Sequence, residues 1–64
     1  MDGLKEAMKD WERIGTNTYR RGNYTIKTTG AEWVIIKDGY GRLSVTYKTM
    51  LAVFKRANLL IEWS

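Results

Sequence analysis

Between residues 24 and 47 the apolar side chains fall on alternate positions. Tyr24, Ile26, Trp33, Ile35, Leu43, Val45 and Tyr47 can all point to one side of a sheet, because successive side chains of a strand face opposite ways. The spacing then changes to helical. Met50, Leu51, Phe54, Ala57 and Ile61 form a stripe ready to cover that side, with Asn58 interrupting it. Thr46 or Thr49 is placed to cap this helix. Together the two patterns argue for a sheet backed by a helix. The chain is expected to be α+β, with an antiparallel sheet of three or four strands and a C-terminal helix packed on one face.

The segments before this unit read less sharply. Leu4, Ala7, Met8 and Trp11 recur at helical spacing, Asp2 can cap, and Gly15 is a natural stop. A first helix over residues 2–13 follows. Strands are expected at 17–20, 23–28, 32–37 and 42–47, and the last helix at 49–61. The 17–20 segment reads as a short edge strand, with a turn at Arg21-Gly22-Asn23. Trp33, Val34, Ile35 and Ile36 are four β-formers in succession, which suggests a central strand covered on both faces. Asp38-Gly39 is a hairpin signal. No repeat or linker divides the chain, so one domain over 1–64 is expected.

Composition narrows the chemistry. A chain of 64 residues buries only about 60% of its unfolded surface. It has neither cysteine nor histidine, which rules out disulfides and thiolate metal sites. The commonest metal ligand and general base are missing too. Asp10 and Glu12, two apart on the expected helix, do not face each other. Glu32 and Asp38 stand at opposite ends of one strand. Gly39-Tyr40-Gly41 lacks the third glycine and the strand-to-helix setting of a dinucleotide loop. No catalytic residue, cofactor or metal is assigned, and the chain is read as non-enzymatic. No stretch approaches the roughly 20 apolar residues of a membrane span. A cytoplasmic protein is expected.

Charge is uneven along the chain. Residues 1–12 carry four acids against Lys5 and Lys9, a net −2; residues 13–64 carry nine bases against three acids, a net +6. An acidic start on a basic body fits a polyanion partner, and it equally fits ordinary solubility. The opposite parity puts Thr25, Lys27, Glu32, Val34, Ile36, Arg42, Ser44 and Thr46 on the second sheet face. That mixture has three uses: cover by the first helix, with Trp11 and Met8 against Val34 and Ile36; an interface with a protein or a second copy; or contact with nucleic acid.

The order of segment 24–58 resembles the arm-binding domains of tyrosine integrases and the plant ethylene-response DNA-binding domains. The resemblance rests on Trp33 in the middle strand, the Gly39–Gly41 turn, and Tyr47-Lys48-Thr49 running into a helix with Ala52 and Ala57. It implies a three-stranded sheet read into the major groove of duplex DNA and backed by one helix. Arg20, Arg21, Lys27, Lys37 and Arg42 would then face DNA. The small basic style also resembles accessory proteins of phages and mobile elements, which places the chain in a bacterial or phage-infected cell.

Lys55 and Arg56 on the last helix are further candidate phosphate contacts, or that helix's solvated face. Tyr40, Leu59, Leu60 and Trp63 leave aromatic and apolar surface beyond the core stripe, as an interface does. The leading expectation is a regulatory, DNA-binding accessory protein. The alternative is a protein–protein interaction module, an inhibitor or adaptor of a larger enzyme. A homodimer through the C-terminal surface fits either.

Overall fold

Tight turns decide the topology. The computed structural model describes residues 3–63. Helix α1 (Gly3–Met8) is followed by strands β1 (Glu12–Gly15), β2 (Thr18–Arg21), β3 (Tyr24–Thr28), β4 (Trp33–Lys37) and β5 (Gly41–Tyr47), then by helix α2 (Met50–Trp63). The strands form one antiparallel sheet in the order β1-β2-β3-β4-β5. Arg21 pairs with Tyr24, so Gly22 and Asn23 alone connect β2 to β3. Gly22 has φ 59° at the first central position, where a type II′ turn favours glycine. Gly39 has φ 85°, and beside it the Tyr40 N–H donates to the Lys37 carbonyl at 3.0 Å. A side chain at either glycine would meet nothing within 4 Å, so the dihedral and not crowding selects glycine.

Both helices lie on one side of the sheet. Trp11, Tyr24, Ile26, Ile35, Val53, Phe54 and Ala57 form the core, and Tyr19, Trp33, Leu43, Tyr47 and the α1 residues Leu4, Ala7 and Met8 pack against it. Its strand residues share one face, as the alternation predicts. The Phe54 ring sits in the middle, edge-on to Trp11 at 5.4 Å and to Tyr19 at 5.2 Å. Burying a side chain of this size stabilises by about 1.5–3 kcal/mol. Thr49 caps α2: its hydroxyl accepts the Ala52 N–H at 3.1 Å.

The first part of the chain departs from expectation. The helix expected over 2–13 ends at Met8, and residues 12–15 form a fifth strand instead. Asp2, the expected cap, lies outside the described residues. Gly15 does not stop a helix; it pairs with Thr18 across a two-residue link whose Asn17 takes φ 53°. Residues 12–15 carry no apolar stripe that would hold a longer helix on the core, all four being exposed, and their backbone pairs with β2 instead. Trp11 stays in the core, just past the helix end.

Three smaller corrections concern the sheet. The central strand is β3, not β4. Val45 does not join the core and is 57% exposed. The β4–β5 register shifts between Val34↔Thr46 and Ile36↔Arg42. Leu43, Ser44 and Val45 therefore stand opposite Ile35 alone, and such a bulge re-aims side chains. Finally, α1 packs on α2 and not on the second sheet face, so Trp11 and Met8 are far from the cover proposed for Val34 and Ile36.

Asn58, the polar break in the apolar stripe, is a junction. Its Oδ1 accepts from Trp11 Nε1 at 2.8 Å and from Arg21 Nη1 at 2.7 Å, and its Nδ2 donates to the Ala7 carbonyl at 2.9 Å. One side chain thus ties α1, β2 and the segment between α1 and β1 to α2. Among the described residues no buried side-chain nitrogen or oxygen lacks a partner, as expected where leaving one unpaired costs about 1–3 kcal/mol.

Candidate nucleic-acid interface

The second face of the sheet is uncovered by either helix among the described residues. Strand register arranges its side chains in two cross-strand rows. One row is Glu12, Arg20, Thr25, Ile36 and Arg42; the other is Thr18, Lys27, Val34 and Thr46. Ser44 lies exposed in the bulge of the edge strand. Val34 has no exposed surface although no helix reaches it. Its register partners are Lys27 and Thr46, and a lysine stem can lie over apolar surface and leave its amine in water.

The face is cationic at three points. Arg20 is braced: its Nη1 donates to Thr25 Oγ1 at 3.1 Å, and its Nη2 pairs with the Asp38 carboxylate. Lys27 and Arg42 are exposed and form no ion pair among the described residues. Glu12 is the acid of the rows, on the edge strand away from Arg42. Thr18, Thr25 and Thr46 stand in the same two rows; the Thr18 hydroxyl donates to the Thr16 carbonyl at 3.1 Å.

Dimensions restrict what such a face can enter. Strands lie about 4.8 Å apart, so five span roughly 19 Å between outer axes. The major groove of B-DNA is about 12 Å wide. The three inner strands, β2 to β4, span about 10 Å and match it. Arg42 stands on one edge strand and Glu12 on the other. The face bears none of the chain's tyrosines or tryptophans among its strand residues; Tyr19, Tyr24, Trp33 and Tyr47 all turn toward the helices. Single-strand binders stack bases on such rings.

The structure divides the seven basic residues singled out from sequence. Arg20, Lys27 and Arg42 share the open face. Arg21 turns to the covered side, held by Asn58 and lying 3.9 Å from the Asp10 carboxylate. Lys37 is also on that side, its Nζ 4.6 Å from the centre of the Tyr40 ring and 5.7 Å from that of Tyr24. Lys55 and Arg56 belong to α2, across the molecule from the open face. Sequence reading passed over Thr18, and the signal for it was its parity with Arg20.

The apolar candidates are scattered. Tyr40 caps the β4–β5 turn, 77% exposed. Trp63 is 69% exposed, with the Arg56 guanidinium 5.7 Å from its ring centre. Leu59 is exposed on α2, whereas Leu60 packs against the core. A cleft of about 430 Å³ separates α1 from α2, lined by Glu6, Asp10 and Glu62 as well as Lys9, Arg21 and Lys55. Among the described residues no group of acidic side chains could hold a metal ion, and no helix is long and apolar enough to cross a membrane.

The chain matches no protein-family model, no curated protein and no solved structure at a significant level.

Proposed function

We propose that the chain is a DNA-associated accessory protein that binds duplex DNA through the open face of its sheet. One observation carries this reading: strand register gathers Arg20, Lys27 and Arg42, with three threonines between them, on a face that neither helix covers. Arginine and lysine meet phosphates and guanine edges, and hydroxyls meet either. The lack of ring platforms on that face favours a duplex over a single strand. The resemblance of segment 24–58 to sheet-reading DNA-binding domains points the same way, although its three strands are β3, β4 and β5, one place along the sheet from the inner three.

Anisotropy titration of a labelled 20-base-pair duplex tests it. Micromolar binding at low salt is expected, with log K falling against log salt at a slope of about −2 to −3 for two or three phosphate contacts. Replacing Arg20, Lys27 and Arg42 together by alanine should abolish that slope. Absence of binding up to about 100 μM at low salt would sink the proposal, since non-specific binders reach roughly 1–100 μM even at physiological salt.

A second reading is favoured by one observation. Trp63 and Leu59 are exposed on α2, and a large apolar side chain so placed suits a protein partner or a second copy of the chain. Light scattering over a concentration series reads self-association directly, and Trp63→Ser should remove it.

A further inference from the structure

We propose that Arg20 reads a guanine edge, while Lys27 and Arg42 hold phosphates. The proposal rests on the DNA reading above and adds a division of labour to it.

The three cations look alike in sequence and differ in structure. The Arg20 guanidinium is held at both ends, by Thr25 Oγ1 on the neighbouring strand and by the Asp38 carboxylate at the next hairpin. Asp38 is itself placed by backbone, its N–H donating to the Asn23 carbonyl at 2.9 Å. Two consequences follow. The carboxylate cancels most of the local positive charge, which weakens attraction to a phosphate. The same contact fixes the plane of the fork, and among the described residues three of its five N–H donors have no partner. A planar donor pair of fixed direction is what the O6 and N7 of guanine accept in the major groove. Arg20 also stands on β2, one of the three strands that fit the groove, in one row with Thr25. Lys27 and Arg42 lack an ion-pair partner among the described residues, so their full charge is available to the backbone.

Selection from a pool of randomised duplexes, followed by anisotropy on the enriched site, tests the division. The wild-type chain should enrich one position as guanine. Replacing that guanine by 7-deazaguanine, which lacks the N7 acceptor, should weaken binding about two- to twelvefold, the share of one bond in a bidentate contact worth about 5- to 150-fold. Arg20→Lys should erase the guanine preference with the salt slope nearly unchanged; Asp38→Asn should erase it while steepening the slope by up to about 0.9, because the freed Arg20 charge can then meet a phosphate. Lys27→Ala and Arg42→Ala should each keep the preference and reduce the slope by about 0.9. Enrichment without any guanine position, or a preference that survives Arg20→Lys, would overturn the assignment. A pool that is not retained at all at low salt would instead sink the DNA reading on which it rests.

Discussion

The two faces of this sheet are made from the same five strands and solve opposite problems. The covered face excludes water with Tyr24, Ile26 and Ile35 against Phe54, Val53 and Ala57. Its polar groups are matched pair by pair through Asn58. The open face keeps one fully buried residue, Val34, between Lys27 and Thr46, with Ile36 beside it on the same strand. The difference separates the face that holds the fold from the face proposed for recognition. Substitution on the covered face should move the folding equilibrium; if DNA lies on the open face, substitution of its exposed residues should move affinity with little change in stability.

The largest effect expected is on folding. Phe54→Ala removes the ring that meets both Trp11 and Tyr19, and should destabilise by about 3–5 kcal/mol in a denaturant titration. In a domain this small, such a loss approaches the whole stability. The counterpart Arg42→Ala on the open face should stay within about 0.5 kcal/mol by the same assay. Equal losses would break the comparison.

Asn58→Ala comes next. It leaves the Trp11 indole N–H and the Ala7 carbonyl without their partner, and should cost about 1–3 kcal/mol. Loss of α1 protection in hydrogen exchange would accompany it if the junction holds α1 in place. Asn58→Leu continues the apolar stripe yet loses the same bonds, so it should not restore stability. A stabilised Asn58→Leu would show that packing outweighs the junction.

The smallest effect concerns Glu12. If DNA lies on the open face, this acid stands at a groove wall. Glu12→Gln should then tighten duplex binding a few-fold at low salt, and the gain should fade as salt screens it. An unchanged affinity would move the contact away from β1 and sharpen the site to β2–β5.

Much of the covered face was legible in the sequence because burial leaves a period. Strict alternation marked β3, four β-formers in succession marked β4, and helical spacing marked α2. Strand β1 left no such mark. All four of its residues are exposed, so no alternation separates it from a helix surface. Trp11 meanwhile keeps the spacing of Leu4, Ala7 and Met8 whether or not the helix continues to it. Val45 was misassigned because parity assumes an unbroken register, and the bulge is a property of the pair β4–β5, not of either strand alone. The candidate site was legible in part. Parity placed Lys27 and Arg42 on one face and Lys37, with Trp33 and Ile35, on the other; Arg21 read as part of a turn, so its side became known only from its pairing with Tyr24 and its bond to Asn58. Asn58 read as a flaw in a stripe because its partners lie 47 and 51 positions away in the chain, at Trp11 and Ala7.

Those same separations set an order for folding. Every strand pairs with its immediate neighbour in the chain, so each hairpin closes only a short loop. The Asn58 junction closes loops of about fifty residues. Loop entropy rises by about 0.6 kcal/mol per doubling of length, so the junction carries roughly 2 kcal/mol more than a four-residue turn. The hairpins can therefore zip up first. The docking of α1 on α2 then becomes the late event in folding, and the first contact to open when the native chain fluctuates.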